Sequence, residues 1–147
     1  MKFFKLAEAD PVLIPLIGFK IPAGFPSPAM DYLEDDIDMV KQLTPRPLST
    51  FFGKCEGDSM IGAFIPPGAI LAIDKSLTAK SGDIVVAYVD GGFTVKFLQL
   101  KDGKCFLVPA NNNYAAIEIT AEREMFVWGV VTNVVIDTKF IRLCMPL

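Results

Sequence analysis

Residues 83–98 read DIVVAYVDGGFTVKFL, two β-rich runs on either side of Asp90-Gly91. An Asp-Gly pair between such runs favours a two-residue hairpin turn, because both central residues of that turn need a positive φ. The stretch therefore predicts a β-hairpin with Lys96 on its second strand. Side chains alternate along a strand, so Lys96 lies on the same face as Thr94.

Other runs of strand length recur after residue 50, separated by turn sequences that contain Gly, Pro or Asp. The predicted strands are 51–55, 70–74, 83–89, 92–100, 104–109, 116–119 and 125–136. The chain has 147 residues, of which 52% are hydrophobic, and it has 11 Gly and 11 Pro. A chain of this length can bury one sizeable core. We therefore expect a single mostly-β domain over 31–147.

Residues 1–30 are predicted to form an extended N-terminal arm. Proline fixes its own φ and restricts the preceding residue, which prevents a stable helix. The prolines of the arm are Pro11, Pro15, Pro22, Pro26 and Pro28.

A short helix is predicted where the domain begins. Asp31-Tyr32-Leu33-Glu34 resembles a capping box, and Leu33, Ile37 and Val40 follow at helical spacing. The helix would end near Leu43, before Pro45. We interpret the acidic residues 34–36 as its solvated first turn rather than as a metal site.

Ser59 and Lys96 are the candidate catalytic residues. The chain has no histidine, so a serine nucleophile would need another base, and a lysine removed from water is the usual substitute. Ser59 lies in Gly57-Asp58-Ser59-Met60, a Gly-containing approach to a loop. Two plainer interpretations remain open: Lys96 as a solvated strand residue, and Ser59 as a turn residue that bonds the backbone.

The three cysteines indicate free thiols in a reducing compartment. Cys55, Cys105 and Cys144 are far apart, and neither a Cys-x-x-Cys pair nor a histidine completes a metal site. We expect no metal and no cofactor. Cys55 is close to Ser59 in sequence, but free cysteine is more often a packing residue than a nucleophile.

Charge and hydropathy argue against a nucleic-acid reader and a membrane protein. The formal net charge is −3, and the arm has few basic residues, so sequence-specific binding to duplex DNA is not expected. The longest apolar stretch, 127–136, is shorter than the roughly 20 residues that cross a bilayer. Acidic residues follow Leu6 where a signal peptide would be apolar. We expect a cytoplasmic protein.

Several motifs occur together in a specific order. Ala23-Gly24 in the arm is followed by Gly57-Asp58-Ser59-Met60, Gly82-Asp83-Ile84-Val85, Phe93-Thr94-Val95-Lys96, Leu107-Val108-Pro109-Ala110-Asn111-Asn112, Tyr114 and Trp128-Gly129-Val130-Val131. From about residue 24 to 135 this combination resembles the self-cleaving Ser/Lys peptidases of the LexA and UmuD group (S24 type). Because only a short arm precedes Ala23-Gly24, the resemblance is to its UmuD-like members.

The resemblance implies a curled mostly-β peptidase domain that cuts its own chain. Lys96 would take the proton of Ser59, and Ser59 would attack the carbonyl of Ala23 and break its bond to Gly24. The backbone N–H groups of Asp58 and Ser59 would hold the oxyanion.

The resemblance also implies partners and a role in SOS mutagenesis. A RecA filament on single-stranded DNA would promote cleavage, and the trimmed homodimer would join a UmuC-like Y-family DNA polymerase in error-prone translesion synthesis. Two alternatives stay open: a phage-type or truncated LexA-like repressor fragment, and an interaction scaffold that never cleaves.

Overall fold

The computed structural model describes residues 2–5, 13–16, 21–26 and 35–141. The chain divides into two compact units: Met1–Ala7 together with Arg46–Leu147, and Glu8–Pro45. The domain boundary predicted after residue 30 lies outside the described residues.

Most of the larger unit is one antiparallel sheet. Numbered in chain order, the strands are β1 (Lys2–Lys5), β2 (Ile14–Leu16), β3 (Asp35–Ile37), β4 (Thr50–Lys54), β5 (Ile70–Asp74), β6 (Ile84–Val89), β7 (Gly92–Lys101), β8 (Lys104–Val108), β9 (Ile117–Ile119) and β10 (Met125–Val135). Eight of them form a sheet in the order β1-β4-β5-β10-β6-β7-β8-β9. The mostly-β prediction is confirmed, and the seven predicted strands agree with the observed bounds to within one residue at each end.

The predicted hairpin is present as β6 and β7. Val89 pairs with Gly92 across a two-residue loop. Asp90 and Gly91 both have a positive φ, of 46° and 93°, which this turn type requires. The hairpin places Lys96 opposite Val85, in the interior of the sheet.

Two buried clusters form the core, and the hairpin contributes to both. Val86 and Val95 belong to the first cluster, whereas Val85 and Leu98 belong to the second. This division follows from the alternation of side chains along each strand. The first cluster also contains Met60, which is 1% exposed, so the residue directly after Ser59 anchors its turn in the core.

The predicted helix begins later than expected. Residues 35–37 form β3, which pairs with β2 in an antiparallel ladder, and helix α1 covers only Met39–Leu43. Asp38 caps α1 by accepting a 3.0 Å hydrogen bond from the Lys41 N–H. Pairing with a segment about twenty residues away overrode the local helical spacing. No helix in the described ranges is long and apolar enough to cross a membrane.

Two strands lie within the arm that the sequence predicted only as extended. The register of β1 on β4 runs from Lys2 opposite Lys54 to Lys5 opposite Phe51. In the smaller unit, β2 pairs with β3 from Ile14 opposite Ile37 to Leu16 opposite Asp35. Both ladders therefore join residues before Ala23 to residues after Gly24.

Candidate active site

Ser59 lies in a tight turn that follows β4. Gly57 has a φ of 79°, a left-handed conformation that favours glycine, and it turns the chain toward Asp58 and Ser59. Met60 is buried, and the next residues, Ile61–Ala63, form a short 3₁₀ turn. A buried residue on one side and a glycine turn on the other therefore fix the half-buried Ser59.

Lys96 is buried and contacts Ser59. It is 8% exposed, and its Nζ lies 2.9 Å from Ser59 Oγ. The same nitrogen donates to Thr94 Oγ1 at 2.8 Å and to the carbonyl of Val95 at 3.0 Å. The structure thus brings the two candidate residues together and excludes the interpretation of Lys96 as a solvated strand residue.

The surroundings of Lys96 disfavour its charged form. Burial lowers the pKa of the Lys96 amine, and attraction to the Cys55 thiolate opposes this to a lesser extent. Within the described ranges no carboxylate forms an ion pair with Lys96. Its hydrogen-bond partners are all neutral, so among the described residues no carboxylate offsets the cost of burying the charge.

Cys55 is a packing residue in this arrangement. It is 5% exposed and belongs to the cluster that contains Met60. Burial raises the pKa of its thiol, whereas the charge of Lys96 acts in the opposite direction. The protonated thiol is the less nucleophilic form, so the geometry favours packing over a reactive role, as expected. Cys105 is half-buried with a free thiol, and Cys144 lies outside the described residues.

The two predicted oxyanion donors take no part in the hydrogen bonds that the described residues form within the turn. Among the described residues, no acceptor is found for the backbone N–H of Asp58 or of Ser59. The carbonyl of Asp58, by contrast, accepts from the Ile61 N–H at 3.2 Å. Free N–H groups beside a nucleophile are what an oxyanion needs.

A second loop holds the Ser59 turn from the other side. The Ala110 N–H donates to the Ser59 carbonyl at 2.8 Å. Asn111 Nδ2 donates to the carbonyl of Asp58 at 3.0 Å, and the Tyr114 hydroxyl lies 2.6 Å from Asp58 Oδ1. In the sequence, Asn111 and Tyr114 were recognised only as parts of motifs. Their hydrogen bonds to Asp58, and the hydrogen bond from Lys96 to Thr94, were not predicted.

A cavity adjoins the turn. Residues 54–57 line it together with Pro67 and Gly68, and its volume is about 360 Å³. The ring of Phe140 lies against Gly68, where an added Cβ would be 2.8 Å from Phe140 Cζ. The first part of the apolar tail 139–147 thus packs on the domain, while residues 142–147 lie outside the described ones.

Ala23 and Gly24 lie in an exposed bend of the smaller unit. All described side chains over 21–26 are exposed, with Phe25 at 94%. Among the described residues other than its two neighbours, no atom lies within 4 Å of the position of an added Cβ on Gly24. The described residues contain no group of three or more His, Cys, Asp or Glu placed to hold a metal ion.

A family model and several known proteins match most of the chain. The family model described as Peptidase S24-like matches residues 15–132. Protein SamA of Salmonella typhimurium is 40% identical over 90% of this chain and 93% of its own length, and Protein ImpA of Escherichia coli is 37% identical over 90% of each. The LexA repressor of Alcanivorax borkumensis is 36% identical over 84% of this chain but 59% of its own length.

Proposed function

Because the chain belongs to the Peptidase S24-like family, we propose that it is a UmuD-like mutagenesis protein that cuts its own Ala23–Gly24 bond. The family supports a self-cleaving serine peptidase in general terms. The observation that carries the specific proposal is the 2.9 Å contact between Ser59 Oγ and the buried Nζ of Lys96. A serine becomes a nucleophile only when a base within hydrogen-bond reach can take its proton.

The neighbours of Lys96 prepare its amine to act as that base. A neutral amine has two N–H groups and one lone pair. Thr94 Oγ1 and the Val95 carbonyl accept the two N–H groups, which leaves the lone pair for the hydroxyl of Ser59. Since burial lowers the pKa of Lys96, the neutral form is reached at a lower pH than in water.

The reaction then proceeds in two halves. Ser59 Oγ bonds to the carbonyl carbon of Ala23 while its proton moves to Lys96 Nζ, and the N–H groups of Asp58 and Ser59 bind the oxyanion. The C–N bond breaks as Lys96 returns the proton to the Gly24 nitrogen. Water next attacks the ester while Lys96 Nζ takes its proton, the C–Oγ bond breaks as Lys96 returns that proton to Ser59 Oγ, and the released Ala23 carboxyl group loses its own proton to solvent.

The family resemblance also supports partners for this reaction. In the proposal, a RecA filament on single-stranded DNA speeds cleavage, and the trimmed homodimer joins a UmuC-like Y-family DNA polymerase in translesion synthesis. Both partners act in the cytoplasm, where the proposal places this chain. Sedimentation that shows only monomer at micromolar concentration would contradict the homodimer.

Mass spectrometry after alkaline incubation tests the chemistry. We expect the full chain to give fragments ending at Ala23 and beginning at Gly24, faster as pH rises and faster again with an activated RecA filament. Ser59→Ala should stay intact. Gly24→Val should also stay intact, because its side chain keeps the scissile peptide from the nucleophile. Mixing Ser59→Ala, which has an intact cleavage site, with Gly24→Val, which has an intact Ser59 and Lys96, distinguishes cleavage between chains from cleavage within one, because the Ser59→Ala chain can then be cut only by another molecule.

A repressor is the second candidate, because the LexA repressor of Alcanivorax borkumensis is 36% identical to this chain. The net charge of −3 disfavours duplex binding, which depends on neutralising phosphates. Tight, salt-sensitive binding of the purified chain to one duplex sequence over others would favour the repressor.

A further inference from the structure

The peptide unit between Asp58 and Ser59 has its two polar groups in different environments. Its carbonyl accepts hydrogen bonds from Ile61 N–H and Asn111 Nδ2. Its N–H, which belongs to Ser59, has no acceptor among the described residues. The carbonyl edge of the peptide unit is therefore held by hydrogen bonds, whereas its N–H is left to bind another acceptor.

A trans peptide is planar, and its C=O and N–H point in opposite directions. Whatever fixes the direction of the Asp58 carbonyl also fixes the direction of the Ser59 N–H. We propose that Asn111 is a positioning residue that orients the Ser59 N–H toward the oxyanion, and that Tyr114 steadies the same turn through the Asp58 side chain. This inference rests on the proposed self-cleavage.

The orientation of the Asn111 amide is itself determined. Its Oδ1 accepts the Asn113 N–H at 2.9 Å, so its Nδ2 is the atom that faces the Asp58 carbonyl. The Tyr114 N–H donates to the Asn111 carbonyl at 3.1 Å, which closes the loop into a turn. Asn111 thus reaches the Ser59 turn from a backbone that is already ordered.

The Tyr114 hydroxyl holds the side chain of Asp58 by a hydrogen bond. The hydrogen bond to Asp58 is the main cause that raises the pKa of Tyr114, and the charge of Asp58 adds to it. The hydroxyl therefore keeps its proton to a higher pH than an ordinary tyrosine.

Backbone contacts set the distance between the two segments. The Gly62 N–H donates to the Ala110 carbonyl at 2.8 Å, and the Ala110 N–H donates to the Ser59 carbonyl at 2.8 Å. A Cβ on Gly62 would lie 2.6 Å from the Ala110 carbonyl oxygen, so the approach requires a glycine. The loop at 109–114 is thereby close enough for the Asn111 side chain to reach the turn.

The test measures self-cleavage of the full chain against pH. Asn111→Ala, and Asn111→Leu, which keeps the size of the side chain but loses the donor and adds no charge, should lower the plateau rate by roughly tenfold to a hundredfold. The pH midpoint should stay that of the wild type, because the Lys96 contacts are untouched. Asn112→Ala, which removes the neighbouring amide, is the matched control and should cut at the wild-type rate.

Tyr114→Phe removes one hydroxyl and should slow cleavage by roughly threefold to tenfold. Tyr88→Phe removes a hydroxyl from the aromatic group with Phe93 and Phe126 and should leave the rate unchanged. Urea unfolding of each variant separates a lost contact from lost folding. Asn111→Ala cutting within twofold of wild type, or a midpoint that moves with the plateau, overturns the inference.

Labelling of Ser59 by a fluorophosphonate gives a second readout that does not need the arm. Its phosphoryl oxygen occupies the oxyanion position, so Asn111→Ala should label more slowly by a similar factor, with Ser59→Ala as the blank. A wild type that labels but does not cut contradicts the proposed self-cleavage and still tests Asn111. A wild type that neither labels nor cuts overturns both.

Discussion

Lys96 and Asp74 are both buried ionisable residues in interior strands of one sheet, yet their surroundings act on their charges in opposite ways. Asp74, 2% exposed, is bound by Arg46, Ser49 and Ser76. Burial alone would raise the pKa of Asp74, but hydrogen bonds from Ser76, Arg46 and Ser49 outweigh it and lower the pKa to about 2. Asp74 therefore stays charged, whereas Lys96, which has only neutral partners, is driven toward its neutral form.

The difference shows what separates a structural ionisable group from a reactive one. A buried charge that is paired and fully hydrogen-bonded has no reason to exchange a proton near neutral pH. A buried amine without a counter-ion has a pKa closer to the working range and a lone pair to use. Burial is common to both residues, and the charge of the partners decides the role.

The largest expected effect comes from Lys96→Met, which replaces the side chain by an unbranched apolar one of similar length and removes the amine. Self-cleavage should fall by more than about a thousandfold, because Ser59 loses its base. The chain should remain folded, since no charged partner is left unpaired. Quantitative mass spectrometry gives the rate and urea unfolding gives the stability. Cutting at the wild-type rate would show that Lys96 is not the base.

Asp74→Asn should have the opposite profile. The free energy of unfolding should fall by roughly 2 kcal/mol at pH 7, because the charged partner of Arg46 is removed, while cleavage of the folded fraction continues. The pKa of Asp74 is below its ordinary 3.8, so its stabilisation is complete above about pH 4 and is lost as pH falls toward 2. Urea midpoints between pH 2 and 7 should decline in the wild type more steeply than in the variant. An equal decline in both would contradict the assignment.

The sequence predicted the features that depend on local pattern and missed those that depend on distant pairing. Asp90-Gly91 identified the hairpin because the turn needs those residue types at adjacent positions. Asp35–Ile37 was assigned to a helix because the pairing with Ile14–Leu16 leaves no periodic signal. Strand order, with β10 between β5 and β6, has no local signal either.

The candidate site was predicted in part for the same reason. Absence of histidine and the family motifs suggested Ser59 and Lys96, and the structure places them in contact. Burial of Lys96 depends on what the fold packs over it, which strand alternation alone does not determine. The reach of Asn111 to the Asp58 carbonyl joins residues 53 positions apart, and no spacing rule anticipates it.

Thr94→Val removes one neutral hydrogen-bond partner of Lys96 and keeps the shape of the side chain. The lone pair of Lys96 Nζ is then held less firmly toward the Ser59 hydroxyl, so the plateau rate of cleavage should fall by roughly tenfold. A hydroxyl acceptor stabilises an ammonium more than an amine, so the pH midpoint should move downward. Cleavage rates from pH 7 to 11 measure both quantities, with Thr78→Val on the loop after β5 as the control. An upward shift would contradict the role given to Thr94.

The smallest expected effect is on stability at alkaline pH. The folded chain has a lowered Lys96 pKa, whereas the unfolded chain has the ordinary value of 10.5. Between these two values the unfolded state binds more protons, so stability rises with pH. Subtracting the urea midpoints of Lys96→Met from those of the wild type isolates this slope. A difference that stays flat up to pH 10.5 would mean that Lys96 has an ordinary pKa.

The ladders of β1 on β4 and of β2 on β3 change what a cut at Ala23–Gly24 accomplishes. Before the cut, residues 2–5 and 14–16 belong to the same chain as their partner strands, so each ladder forms within one molecule and does not depend on concentration. Afterwards the same four and three residue pairs hold a separate peptide, and its occupancy depends on the amount of peptide in solution. If the proposed cut takes place, departure of the fragment is an equilibrium governed by dilution, and the edge of β4 is open each time the peptide dissociates.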